Sequence, residues 1–146
     1  MTYTLSTDKA KLDLALIHRV LSASYWAAGR TLETVRASID GSLCFGVYQN
    51  RHESEAQVGF ARVITDYATF AYLADVFVVK AHQGKGLGKR LVDTVLHHPG
   101  LQNCSWTLFT KDAHGLYETF GFERAANPER LMRRRSLEAS PLGGNT

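Results

Sequence analysis

Cysteine and proline are both scarce in this chain of 146 residues, which contains two of the former and three of the latter. Cys44 and Cys104 fall in or directly beside segments predicted to be strands, and they show no metal-ligand spacing. We therefore interpret both as buried free thiols, which argues against a disulfide-stapled domain and favours a reducing, intracellular environment. The six histidines show no metal pattern either, so the sequence predicts no metal site.

Long apolar runs and a large excess of one charge are also missing. No segment is long enough to span a bilayer, and charges such as Asp8 and Lys9 near the start are unlike a signal peptide. With 45% hydrophobic and 21% charged residues, we expect a globular, cytoplasmic protein. The net charge of +3 suits an anionic cofactor but is too small to indicate nucleic acid. The length predicts one domain at 1–138 and a flexible tail at 139–146.

Apolar periodicity predicts a mixed α/β chain. The predicted elements are a strand at 1–5, a helix from a cap at Ser6 or Thr7 to about residue 21, a helix capped by Thr31, strands at 42–49, 57–65 and 69–79, a helix at 85–98, a strand at 105–110, a helix at 113–120, and strands at 122–125 and 130–137. Consecutive strands with short links are antiparallel, whereas a strand, helix, strand crossover makes two strands parallel. The predicted fold class is therefore α/β (α+β), with a mixed, mostly antiparallel twisted sheet, a central parallel pair and helices on both faces.

A glycine-rich turn joins the last of the three consecutive strands to the next helix. Gly84, Gly86 and Gly88 let the backbone turn sharply and approach a ligand, and the first helical amides are then available to an anion. A Walker-type loop is excluded, because Gln83 stands where its first glycine belongs and Arg90 follows its lysine. A dinucleotide-binding turn fits poorly, because the third glycine comes one residue early.

The same turn resembles a motif of the GNAT superfamily of N-acetyltransferases. The run from Gln83 to Gly88 matches the pattern Q/R-x-x-G-x-G/A. A second stretch resembles the family's A-x-x-x-Y-x-x-x-G-F signature, and its four matching positions are Ala113, Tyr117, Gly121 and Phe122. Thr110 departs from the pattern, because many members carry there an Asn that touches the pantetheine arm of the cofactor. The two motifs occur in the family's order with a predicted strand between them.

The resemblance implies a GNAT fold and direct transfer of acetyl from acetyl-CoA to an amine. The glycine turn would hold the pyrophosphate, and the edge of the preceding strand would hold the pantetheine arm and, through an amide, the developing oxyanion. The residues implied in cofactor binding are Phe77, Val78, Val79, Gln83, Gly84, Lys85, Gly86, Leu87, Gly88 and Lys89. By the same resemblance, Tyr117 would protonate the departing thiolate.

The group that deprotonates the incoming amine is less defined. Asp75 is the only charged residue in the run 69–79, and a lone acid in a buried strand must be paired, hydrogen-bonded or shifted in pKa. Asp75 is then either the catalytic base or a carboxylate that orders the site. The other possibilities are another acid, with Asp66 and Glu118 as weaker candidates, or a water relay.

Tyr25, Trp26 and Arg30 lie between the first two helices, in a segment that walls the acceptor pocket in the GNAT fold. They either bind a small acceptor or close the end of the sheet. The sequence does not identify the acceptor amine, and the resemblance is compatible with a homodimer. A rival function is a CoA-binding sensor or partner subunit without transfer activity, and a dinucleotide-binding protein is a second rival.

Overall fold

The computed structural model describes residues 2–136. Its helices and strands, in chain order, are β1 (Tyr3–Ser6), α1 (Leu14–Ser22), α2 (Leu32–Asp40), β2 (Leu43–Arg51), β3 (Ser54–Thr65), β4 (Phe70–Val78), α3 (Leu87–Leu96), β5 (Ser105–Thr107) and α4 (His114–Glu118). Short 3-10 turns occupy Lys9–Lys11, Lys80–His82, Pro99–Leu101 and Pro128–Arg130. No helix in this part of the chain is both long and apolar enough to cross a membrane.

The five strands form one sheet in the order β1-β2-β3-β4-β5. The first four are antiparallel to their neighbours, and only β4 and β5 are parallel. The parallel pair is the one joined through α3, since such a crossover returns the chain in the same direction. The predicted mixed sheet with one parallel pair is confirmed.

Each face of the sheet carries its own apolar core, which confirms helices on both faces. On the α3 side, the helix contributes apolar residues at helical spacing. The buried residues of this core are Phe45, Val47, Val58, Ala61, Val63, Ala71, Leu73, Val76, Leu87, Leu91, Val92, Val95, Leu101 and Tyr117. On the α1/α2 side, the buried residues are Ile17, Leu21, Ala27, Val35, Ile39, Cys44, Phe60 and Phe77.

The first helix begins later than the sequence predicts. Asp8 caps the 3-10 turn Lys9–Lys11, its carboxylate accepting from the Ala10 amide at 2.9 Å. A second acidic cap, Asp13, then accepts from the Leu16 amide at 3.1 Å and starts α1 at Leu14. The prediction of one helix from Ser6 or Thr7 is wrong because two caps five residues apart divide the segment.

The two strands predicted at 122–125 and 130–137 are absent from residues 122–136. Pro128 begins a 3-10 turn there, and the apolar side chains that follow are not buried. Leu131 is 53% exposed and Met132 is 92% exposed. Without a buried face, this basic segment gains little from a sheet register. Leu137 and the predicted tail at 139–146 lie outside the described residues.

Candidate active site

The sheet opens where β4 and β5 part. The recorded pairs between them run from Phe70 with Ser105 to Tyr72 with Thr107, whereas β4 itself continues to Val78. From Ala74 to Val78, therefore, the strand ladder of β4 is formed with β3 alone in the described part of the chain. Backbone groups on the outer edge of this half-strand can bind an extended ligand by adding hydrogen bonds to the sheet.

A β-bulge at Asp75 marks the point where this open edge begins. Asp75 has a left-handed backbone with φ of 55°, and the register to β3 shifts between Phe60 and Arg62. The extra residue of the bulge interrupts the alternation of side chains along β4. Leu73 faces α3 before the bulge, and Val76, three residues later, faces α3 after it. Aspartate tolerates this backbone better than most residues do.

The carboxylate of Asp75 is almost fully buried, with 1% of its side chain exposed, and it is held by three nitrogen donors. Trp26 Nε1 donates to Oδ1 at 3.0 Å, whereas Arg30 Nη1 at 2.9 Å and Arg62 Nε at 2.8 Å both donate to Oδ2. Arg62 also donates through Nη1 to Ser42 Oγ at 3.2 Å. We call Trp26, Arg30, Arg62 and Asp75 the Asp75 cluster. It satisfies the requirement that a buried charge be paired and hydrogen-bonded.

The cluster joins residues that the sequence placed in separate roles. Trp26 and Arg30 were expected in the acceptor segment and Asp75 at the chemistry, and the structure brings the three into direct contact. Arg62 was missed. A signal for it existed, because Arg62 is the only charged residue between Val58 and Ile64, the same argument that singled out Asp75.

Tyr25 connects this cluster to the segment after β5. Its side chain is 48% exposed, and its ring meets that of Trp26 edge to face at 5.2 Å. Lys111 Nζ lies 5.4 Å from the centroid of the same ring. Partial burial raises the pKa of Tyr25, and the charge of Asp112 acts in the same direction against a hydrogen bond with the Lys111 backbone. The loop between α1 and α2 thus reaches across the opening between β4 and the segment after β5, which we call the cleft.

The glycine turn forms a backbone surface at the start of α3. Gly84 and Gly86 have φ of 79° and 77°, a left-handed conformation that favours glycine. Gly86 is the N-cap of α3 and provides no side-chain cap, so the first amides of the helix have no capping side chain. Gln83 Nε2 donates to the Val78 carbonyl at 2.8 Å and fixes the end of β4 against the turn.

Gly88 is a glycine that the fold does not require. It has no positive φ, and a Cβ built there, as at Gly84 and Gly86, meets nothing within 4 Å. Alanine would suit a first helical turn better. The open space above Gly84, Gly86 and Gly88 therefore matches a cradle for a ligand phosphate rather than a packing constraint.

The other predicted cofactor residues are placed on both sides of this turn. Lys85 and Lys89 are exposed, and Leu87 is a buried anchor of α3. Phe77 packs on Phe60 on the α1/α2 side, with ring centroids 5.8 Å apart. The Val79 amide donates to the Val58 carbonyl at 2.8 Å, so a ligand would meet Val79 through its side chain rather than through this donor.

Tyr117 lies inside the core rather than on the surface of α4. Its side chain is 2% exposed, and its ring lies edge to face with Phe122 at 5.8 Å. It belongs to the same buried cluster as Val76 of the open β4 edge and Leu87 at the start of α3. The second motif therefore shares its apolar core with the open edge of β4 and with the helix that follows the glycine turn.

Comparison with known proteins gives one consistent result. Residues 40–124 match the family model described as the Acetyltransferase (GNAT) domain. A crystal structure from Xanthomonas campestris pv. campestris, described as belonging to the GNAT family of acetyltransferases, superposes with a TM-score of 0.86 and 48% identity, covering 93% of this chain and 94% of that one.

Two curated relatives agree with this assignment. A Gibberella zeae protein described as an acetyltransferase is 35% identical in an alignment of 103 residues that covers 60% of this chain and 58% of that protein. A ycf52-like N-acetyltransferase from Prochlorococcus marinus is 35% identical over 86 residues, or 58% of this chain and 47% of that protein. The matched regions thus span about half the length of these curated relatives.

Proposed function

The chain belongs to the GNAT family of acetyltransferases, and from this premise we propose that it transfers the acetyl group of acetyl-CoA to an amine. The observation that carries the proposal is the joint position of the glycine turn and the open edge of β4, which Gln83 ties together through the Val78 carbonyl. A glycine turn of this kind can bind phosphate through backbone amides, and an open strand edge can bind an extended chain by strand addition. CoA contains a pyrophosphate followed by an extended pantetheine arm, so it matches both features.

The residues present fit the pyrophosphate of CoA. Gly84, Gly86 and Gly88 leave room for close approach, and the first helical amides of α3 offer donors with the positive end of the helix dipole. Lys85 and Lys89 are exposed on the same turn and add positive charge. The side chains of Val78 and Val79 and the outer edge of β4 would hold the pantetheine arm.

When bound, acetyl-CoA would supply an acetyl group activated as a thioester. The chain's own contributions are to hold the amine beside the open edge of β4 and to deliver a proton to the leaving sulfur. Tyr117 is our candidate for that proton, because it belongs to the same buried cluster as Val76 and Leu87 on the α3 side of the cleft. A backbone amide near Phe77 or Val78 would stabilise negative charge on the carbonyl oxygen.

We assign Asp75 the role of ordering the site, one of the two left open by the sequence. Its two oxygens already accept three hydrogen bonds, two of them from guanidinium groups. Accepting a proton would weaken both ion pairs inside a buried cluster. The amine would then lose its proton to water in the cleft rather than to Asp75.

Binding of CoA is tested with Gly88→Leu, because the motif itself admits alanine at this position. A leucine side chain in the open cradle should weaken CoA at least about tenfold in isothermal titration calorimetry, because it blocks close approach to the amides. The matched control is Gly41→Leu, at an exposed glycine where a new Cβ meets only the Ala37 carbonyl oxygen at 3.7 Å. Equal affinity of both variants and the parent protein would contradict the cradle.

Transfer is tested by acetyl-CoA consumption over a broad amine panel, with an amine-free control for hydrolysis. Tyr117→Phe should lower kcat about 100-fold or more and leave CoA affinity unchanged, since it removes the phenolic hydroxyl and keeps the packed ring. Tyr67→Phe, at a tyrosine that is 54% exposed in the turn between β3 and β4, is the matched control. Unchanged kcat in Tyr117→Phe would eliminate this residue as the acid. CoA binding without turnover on any amine would favour a sensor or partner subunit.

A further inference from the structure

The Asp75 cluster has a net positive charge, because it contains two guanidinium groups and only one carboxylate. Arg30 and Arg62 share a single carboxylate, and both donate to the same oxygen of Asp75. Arg62 also donates to Ser42 through a second nitrogen, Nη1. Arg30 uses Nη1 for Asp75, and its Nη2 has no acceptor among residues 2–136. The Arg30 side chain is 22% exposed against 11% for Arg62. Arg30 therefore presents the unneutralised charge toward solvent at the mouth of the cleft.

Other cations surround the same opening. Lys111 lies over Tyr25, and Arg133 lies 4.3 Å from the ring centroid of Phe109. Phe109 in turn meets Tyr72, the last residue of β4 that pairs with β5, with centroids 6.0 Å apart. Asp112, whose charge acts on Tyr25, opposes these cations. The balance of these charges is positive.

A positive mouth disfavours a simple ammonium substrate and favours one that also carries an anion. We propose that the acceptor is a small amine that bears a carboxylate, and that Arg30 binds this carboxylate while the amine lies at the open edge of β4. This inference rests on the proposed acetyl transfer and names its substrate class. Asp75, where that edge begins, is the residue to which Arg30 is bonded, so the anion site and the amine site are adjacent. An amino acid fits two adjacent sites of this kind, because its amine and its carboxylate are close together.

The same charges act on the amine itself. Nearby cations favour the neutral form of an ammonium group, and only the neutral amine can attack a thioester. An acceptor bound through its carboxylate would thus place its ammonium group near these cations. They would favour loss of its proton, so a dedicated carboxylate base would not be required. This agrees with the ordering role of Asp75.

The test compares each of several free amino acids with its own carboxamide, in which the amine is kept and the anionic charge is removed. At equal concentration of free amine, the parent protein should show a kcat/KM at least about tenfold higher for the acids, the effect of one charge-assisted hydrogen bond. Arg30→Gln should abolish this preference, Arg30→Lys should keep part of it, and Lys111→Gln should reduce it a fewfold. CoA affinity should be the same in all of them.

Arg36→Gln, at an exposed position of α2, is the matched control and should keep the full preference. If Arg30→Gln does not fold, the comparison of parent, Arg30→Lys and Lys111→Gln still decides the outcome. Turnover with equal kcat/KM for acids and carboxamides would overturn this inference and leave acetyl transfer standing. Loss of CoA binding and of turnover on every amine would overturn both. A peptide series that begins with Asp or Glu separates a free amino acid from a protein N-terminus as the source of the carboxylate, and faster turnover of the peptides would contradict the small acceptor.

Discussion

The turn that precedes β4 and the bulge within it each depend on one aspartate, and the two carboxylates are satisfied in opposite ways. Asp66 is exposed and accepts from the amides of Ala68, Thr69 and Phe70 and from the Thr69 hydroxyl, at 2.6 to 3.1 Å. All of these donors lie within four residues of it. Asp75 is buried, and its three donors lie 13, 45 and 49 residues away.

The Asp66 turn is therefore held by local hydrogen bonds, whereas the Asp75 cluster is held by tertiary contacts. The Asp66 turn closes on itself and can form before the rest of the chain is in place. The Asp75 cluster exists only when β3, β4 and the loop between α1 and α2 have already packed together. A defect at Asp66 should therefore remain a local loss, whereas a defect at Asp75 should affect both the sheet and the layer above it.

The largest effect is expected for Asp75→Asn. Asparagine tolerates the left-handed backbone, so the change removes the charge and leaves two guanidinium groups without their counterion. The free energy of unfolding in urea should fall by about 3 to 5 kcal/mol. Asp93→Asn is the control, because Asp93 is 59% exposed and its salt bridge within residues 2–136 is with His97, the C-cap of α3. A loss at Asp75 no greater than that at Asp93 would remove the distinction between the two carboxylates.

An intermediate effect is expected in the glycine turn, which is local like the Asp66 turn but serves the site. Gly86→Ala should lower the free energy of unfolding by about 1 to 2 kcal/mol, because φ of 77° is strained for alanine. Gly88→Ala should leave stability unchanged or raise it by up to about 1 kcal/mol, since alanine is the better helix former. Urea titrations of both variants without ligand check this. Equal destabilisation by both would show that Gly88 has a structural role after all.

The smallest effect at neutral pH is expected for Asp66→Asn, which keeps an oxygen acceptor in the turn and removes the charge. The hydroxyl and amide of Thr69, with the amides of Ala68 and Phe70, hold the pKa of Asp66 well below its usual value. A lowered pKa in the folded state stabilises the fold at neutral pH, and this contribution disappears as the pH falls below about 4 toward the folded-state pKa. The difference in Tm between parent and variant should shrink over that range. A constant difference would assign the effect to something other than the charge.

The same contrast explains how much the sequence could predict. Gln83 to Gly88 and the Tyr117 motif each use residues a few positions apart, so spacing alone predicted the glycine turn and the short helix after β5. The division of the first helix was missed because Asp8 and Asp13 are both competent caps, and a periodicity argument does not choose between one long helix and two short elements.

The Asp75 cluster lay beyond that kind of argument. Nothing in the local sequence says that Trp26 and Arg30 point to the same strand position as Arg62, because the contact depends on the register shift opposite Ala61. The isolated charges at Asp75 and Arg62 did show that each needs a partner. Antiparallel neighbours with one such charge of each sign are natural candidates for pairing, and this would have been the available signal.

A contact at the other end of the chain links the first strand to the glycine turn. The hydroxyl of Tyr3, in β1, lies 2.9 Å from Nδ1 of His82, in the 3-10 turn just before Gln83, and the two rings pack edge to face at 5.7 Å. Thermodynamic linkage makes such a contact act in both directions. A ligand that orders the glycine turn should therefore slow amide hydrogen exchange in β1, on a strand separated from β4 by two others, and fraying of β1 should shorten the residence time of that ligand.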